Sequence, residues 1–227
     1  MKNKTLLPAL LIALLPLLIA PLTGTAQSIP TAHQILQRVQ QHLPPQPLQL
    51  SGKLYRKAPN GYNKVSLPLT ATLRLGNPTP TAQYQVDNQT LTLTWSNGTP
   101  HYHFSNPALQ PHHEIAQSGM NWNDLSLAFL WWPNARLLGE TTKINRHAWL
   151  IEIPVPNSTE RLHLWIEKEM AMLLEAQWLD AHDDTQRTLR IKRIRKIDDL
   201  WIAKQLEIIH HTTGERSVLY LHDIHQP

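Results

Sequence analysis

The sequence predicts a mainly β protein built on one curved antiparallel sheet, with a helix ahead of it and another in its middle. Three observations carry this. Apolar residues recur at every second position through most of the chain from Leu48 onwards. The connectors are short and hold turn residues, of which Asn97-Gly98 is the strongest hairpin signal. Only two stretches have helical character, too few to cover a sheet of about eleven strands. Such a sheet curls on itself, and its inner face becomes an apolar concavity. Alternation alone leaves open a closed barrel or sandwich filled by its own side chains.

Residues 1–26 have the layout of a secretory leader. Lys2 and Lys4 precede an apolar run from Leu6 to Leu22, and Gly24-Thr25-Ala26 offers small residues for cleavage. Pro8, Pro16 and Pro21 make that run a poor spanning helix. Cleavage after Ala26 then leaves residues 27–227 as the mature domain, exported to a bacterial periplasm. The chain has no cysteine, so it has no lipoprotein anchor, disulfide or thiolate chemistry. Without the two leader lysines, nineteen basic residues face seventeen acidic ones. That balance, together with export, excludes nucleic acid as a general partner.

Gln27 to Leu43 reads as a helix with Thr31 as N-cap, Gln34 three residues on, and an apolar stripe of Ala32, Ile35, Leu36, Val39 and Leu43. Pro44, Pro45 and Pro47 end it. A β-meander follows to Phe104. The stretch 106–120 is loop and a candidate boundary, after which Asp124 to Trp132 reads as a helix capped by Asn123 or Asp124 and stopped by Pro133. It is apolar all round, which demands burial on most sides. Seven strands follow, from Arg136 to Ile224. In these, Ile151 and Ile153, Leu162 and Leu164, and Ile202 and Leu206 share the apolar face, while Trp165 and Trp201 fall on the polar one. Six of the ten residues from Arg187 to Lys196 are basic, and Ile194 breaks the phase set by Leu189 and Ile191. This reads as a solvated outer strand with a β-bulge.

No catalytic signature is present. There is no Gly-x-Ser-x-Gly elbow and no phosphate-cradling glycine loop. Asp183-Asp184 and Asp198-Asp199 occupy turns, where aspartate serves the backbone. His101 and His103, followed by His112 and His113, have a spacing worth weighing as a divalent-metal site, yet they fall on a wet strand and a surface loop without a helical His-Glu-x-x-His, and the His210-His211, His222 and His225 cluster takes the same discount. No metal or other cofactor is expected.

Four motifs carry a family resemblance: Gly119-Met-Asn-Trp-Asn-Asp-Leu-Ser126, Leu137-Leu-Gly-Glu140, Leu162-His-Leu-Trp-Ile-Glu-Lys168, and Leu189 to Ile202 with its Lys196-Ile-Asp-Asp-Leu-Trp201 hairpin. Together these resemble the bacterial outer-membrane lipoprotein-sorting proteins over roughly residues 115–224. The sequence departs from that pattern at Glu169-Met170 and at Asp199, where a turn glycine is usual. The resemblance implies a LolA/LolB-like fold: an incomplete (half) β-barrel with an N-terminal helix, whose concave apolar face is lidded by the central Asp124–Trp132 helix. It also implies a carrier role, with acyl chains of lipids or lipoproteins as ligand. The residues placed in that cavity and lid are Leu67, Leu69, Leu93, Trp95, Leu125, Phe129, Trp131, Trp132, Ile151, Ile153, Leu162, Leu164, Ile202 and Leu206. The expected protein is a non-enzymatic monomer that meets lipid or lipoprotein and a membrane-associated envelope partner. A regulatory or scaffolding domain of the same fold is the alternative, and a metal enzyme using the four histidines is the third.

Overall fold

The computed structural model describes residues 29–76, 78–197 and 200–226. The leader and the Asp198-Asp199 turn lie outside them. Helix α1 is Ala32–Gln41. The Thr31 hydroxyl accepts from the Gln34 N–H at 3.2 Å and Gln34 Oε1 accepts from the Thr31 N–H at 2.8 Å, so both ends of the expected capping box form. Its stripe of Ala32, Ile35, Leu36 and Val39 is buried.

Twelve strands follow. Before the central helical segment come β1 (Leu48–Lys57), β2 (Asn63–Arg74), β3 (Thr81–Val86), β4 (Gln89–Ser96) and β5 (Thr99–Phe104). After it come β6 (Arg136–Lys143), β7 (Arg146–Pro154), β8 (Arg161–Glu167), β9 (Leu173–Leu179), β10 (Thr185–Ile197), β11 (Leu200–His210) and β12 (Arg216–His225). The expected count of about eleven is therefore one short. All twelve lie in one antiparallel sheet in the order β5-β4-β3-β2-β1-β12-β11-β10-β9-β8-β7-β6, with β5 and β6 as open edges. The sheet does not close, so the barrel is incomplete.

The turns follow their residues. Asn97 (φ 50°) and Gly98 (φ 74°) both take positive φ between the paired Ser96 and Thr99, which is the twist-matched hairpin geometry. In β10 the register shifts at Ile191/Arg193 and again at Arg193/Ile194, so the bulge lies where the apolar phase breaks. At the seam of β1 and β12, Gly52 sits at a register shift where a Cβ would run into the carbonyl oxygen of Tyr220. Only glycine allows that approach.

The central segment is shorter and more broken than the sequence suggests. Helix α2 is Trp122–Ser126, and a 3-10 turn, Ala128–Trp131, follows after Leu127 at φ 53°. The N-cap is Asn121, not Asn123 or Asp124: its side chain accepts from the Asp124 N–H at 2.9 Å, and Asp124 Oδ2 accepts from the Asn121 N–H at 3.1 Å. A reciprocal box of this kind satisfies two N-terminal donors, which a lone cap at Asn123 does not. The segment is laid across the concave face, with Trp122, Leu125, Ala128, Phe129 and Leu130 buried.

Candidate functional site

The segment is held over the sheet by polar latches. Gly119 precedes it at φ 75°, packed so closely on Ser217 and His210 of the sheet that a Cβ has no room. Ser217 donates to the Ser118 carbonyl at 2.7 Å. Asp124, fully buried, accepts from Arg187 Nη1 at 2.5 Å, and the Arg187 guanidinium lies 3.9 Å from the ring centre of Trp178. Arg187 therefore points into the protein from β10, which corrects its place in a solvated basic strand. Arg190 is likewise paired, with Glu175 at 2.9 Å. From the other side, Tyr102 of β5 donates to Asn123 Oδ1 at 2.7 Å. Its hydroxyl is pushed up to about 12 by burial, which a hydrogen bond from Trp132 partly offsets. The Gly119-to-Asp124 motif is thus an attachment device.

Beneath the anchored segment lies a cavity of about 430 Å³. Its floor comes from the middle of the sheet: Leu48 and Leu50 of β1, Leu69, Ala71 and Leu73 of β2, Leu219 and Leu221 of β12, and Ile202, Ala203 and Leu206 of β11. Tyr84 and Trp95 form one wall, and Met170, Ala171 and Met172 of the β8–β9 turn form the other. That turn lacks the usual glycine. Ala171 takes φ 49° in its place, and the Met170 N–H donates to Glu167 Oε2 at 2.6 Å to hold it. The roof is Val39 of α1 and Leu43 just after it, with Leu125, Leu127, Leu130 and Trp131. Gln40 ties the two roof pieces together by donating to the Leu130 carbonyl at 2.9 Å. Tyr84 presents a hydroxyl whose pKa burial drives well upward, so it stays protonated as a donor.

The structure divides the fourteen sequence-picked residues. Leu69, Trp95, Leu125, Trp131, Ile202 and Leu206 line the cavity. Ile151, Ile153, Leu162 and Leu164 are fully buried on β7 and β8, outside the cavity. Leu93 is also fully buried, and Leu67 packs half-buried on the same core. Phe129 is fully buried with its ring centre 5.6 Å from Trp178 and 6.3 Å from Trp132, so it fills the core. Trp132 works as a strut through Tyr102. Trp201, assigned to the polar face, is 49% exposed at the cavity margin beside Ile202. The sequence-picked set omits the lining residues Leu48 and Leu50 of β1, Leu219 and Leu221 of β12 and the Met170–Met172 turn, because the pairing of the first strand with the last leaves no mark in local sequence.

Two ion clusters brace the sheet. On Glu175, burial pushes the carboxyl up, but hydrogen bonds from Lys143 at 2.7 Å and Arg190 at 2.9 Å outweigh it and hold the group below the usual carboxylate range. Glu215 is held down by hydrogen bonds from Lys64 and Arg56, and Arg56 also reaches Glu114 at 3.2 Å, tying the 107–121 loop to β1. The His101 ring lies 2.8 Å from the Ser96 hydroxyl, and the rings of His112 and His113 meet edge to face at 4.7 Å. Among the described residues, no group of three or more His, Asp or Glu side chains is gathered as a metal site. No helix among them is long and apolar enough to cross a membrane.

A family model described only as an uncharacterized protein matches residues 107–226, more than half of the chain. The chain belongs to that family. No curated protein matches it in sequence. Among solved structures it is similar to a DUF1329 family protein from Desulfovibrio piger, at TM-score 0.69 and 14% identity over 86% of this chain and 91% of that one. A domain from Vibrio parahaemolyticus named for outer membrane lipoprotein sorting matches at TM-score 0.68 and 14% identity, over 86% and 93% of the two chains. A LolA superfamily protein from Nitrosomonas europaea matches at TM-score 0.61 and 15% identity, over 88% and 94%. At these identities the likeness is one of fold. The fold is LolA-like.

Proposed function

We propose that the protein is an exported, non-enzymatic carrier that binds the acyl chain of a lipid or lipoprotein, in the sorting of lipoproteins towards the outer membrane. One observation carries the reading: an apolar cavity of about 430 Å³ lies under a latched helical roof, with most of its walls hydrocarbon. That volume falls within the roughly 300–1,000 Å³ of small-molecule sites. Each methylene moved from water into it contributes roughly 0.8 kcal/mol, so a single long chain binds even after ordering costs. The lipoprotein-sorting name of the similar Vibrio domain supports the same direction. The leader-like run at residues 1–26 supports work in the periplasm, with Gln27 as the first mature residue on this reading.

Native mass spectrometry and lipid extraction of protein purified from the periplasm test this. The expected result is an acyl lipid bound one to one on a chain beginning at or near Gln27. Protein that carries no lipid, shows no saturable binding of a fluorescent fatty acid and co-purifies with an envelope protein overturns the carrier reading in favour of the scaffold. Retention of Met1 in a membrane fraction overturns the localisation.

A further inference from the structure

A second space adjoins the cavity, a groove of about 330 Å³. Leu43, Leu75, Trp95 and Trp131 line both, so these four side chains form the partition. The character changes across it. The groove's other walls include Gln37, Gln40 and Gln41 of α1 and Asn97 of the β4–β5 turn. Among the described residues, no Lys, Arg, Asp or Glu lines either space. Within the partition, Trp95 is 5% exposed, and its indole Nε1–H is shielded from water with no hydrogen-bond partner among the described residues. The Trp131 ring covers it at 5.1 Å between ring centres.

We infer that the amphiphile this site selects has an uncharged, hydrogen-bonding head group of the monoacylglycerol type, its chain in the cavity and its head in the glutamine-lined groove. The inference rests on the acyl-carrier reading and adds the head-group class to it. A carboxylate or phosphate drawn against this partition loses hydration and meets no Lys or Arg; the basic side chain in the lining is His42, whose Nδ1 lies 2.7 Å from the Arg38 carbonyl oxygen, so the transfer is costly. Hydroxyls and an ester lose little there, because each carboxamide both donates and accepts. When Trp131 turns aside, the partition opens and the ester carbonyl accepts from the Trp95 N–H, satisfying a donor that the closed form leaves unmet.

Calorimetric titration at neutral pH with monomyristoylglycerol and with myristate, matched in chain length, tests the inference. The neutral ligand is expected to bind about tenfold more tightly. Gln37 is exposed on α1, so Gln37→Lys leaves the fold intact and is expected to narrow that ratio by strengthening myristate binding. Trp95→Phe removes the donor and leaves a smaller ring in the cavity wall, so it is expected to weaken the neutral ligand severalfold more than it weakens myristate. Myristate binding as tightly as the monoacylglycerol to the wild type overturns the head-group assignment while the carrier reading stands. A ratio unmoved by Gln37→Lys overturns the groove as the head-group site. Saturable binding of neither ligand overturns both readings.

Discussion

The two arms of the sheet carry the same kind of apolar face and use it differently. On β7 and β8, Ile151, Ile153, Leu162 and Leu164 are fully buried, while Phe129 meets Trp178 edge-on close by. Across β1, β2, β11 and β12, residues of equal hydrophobicity face the 430 Å³ cavity instead. The difference lies above the sheet. The roof presents its fully buried ring, Phe129, to the packed side, and its half-buried Trp131 to the cavity side. Alternation thus identifies an apolar face, and the roof decides whether that face becomes core or container.

The contrast breaks first at Phe129. Phe129→Ala opens a hole in the packed arm, and urea denaturation is expected to show a loss of about 3–5 kcal/mol with no gain in acyl binding. A gain in binding shows instead that the packed arm is a second container. Next comes the latch. Asp124→Asn removes the charge from a fully buried carboxylate paired with Arg187, which is 20% exposed in its side chain. The cost is expected to be about 2–3 kcal/mol, below the roughly 3–5 kcal/mol of a fully buried pair. Because the latch sets the roof over both arms, binding is expected to weaken along with stability. Binding that survives unchanged shows that the roof seats without it.

Trp131→Ala sharpens the comparison from the cavity side. The ring is half-buried, so the stability cost is expected to be about 1–2 kcal/mol, well short of a packed ring. The closed form that a chain must displace is weakened, and affinity for a fluorescent fatty acid holds or rises. Lower stability together with lower affinity shows that Trp131 is a direct ligand contact.

Acid acts on both arms. Glu175 and Glu215 titrate below their ordinary value of 4.5 in the folded chain, so the stability they supply is present above that value and is lost as pH falls through and below it. His210 acts earlier in the same direction. Burial chiefly, with the Arg187 charge, lowers its pKa against the opposing pull of Asp124, so the unfolded chain takes up the proton first and stability declines below the ordinary 6.5. Melting temperature against pH is expected to fall gently below 6.5 and steeply below 4.5. A flat profile removes both clusters from the account. The smallest expected effect is that of a chelator, which is expected to leave the melting temperature unchanged. A drop restored by zinc revives His101, His103, His112 and His113 as a metal site.

Much of this was legible in the sequence, for physical reasons. The capping box of Thr31 and Gln34, the Asn97-Gly98 turn and the bulge near Ile194 are local, and local chemistry decides them. The apolar face of β8 follows from period two. Leu69, Ile202 and Leu206 of the cavity's floor were legible, but its central seam was not, because Leu48 and Leu221 approach only through pairing of the first and last strands. Arg187 was misplaced for a related reason. Its inward turn depends on Asp124, sixty-three positions away, and a run of basic residues does not show which member has a buried partner.

The seam between β1 and β12 also orders events in time. Nine residue pairs, from Gln49–His225 to Lys57–Arg216, close the middle of the sheet with partners from opposite ends of the domain. Until the final strand is available, the five-stranded and six-stranded pieces each keep a raw hydrogen-bonding edge at what will be the centre. The contacts there have the longest sequence separations in the sheet, and such contacts slow folding. A chain made or threaded from its N-terminus therefore stays unfinished, and receptive to whatever shields an exposed strand, until β12 arrives.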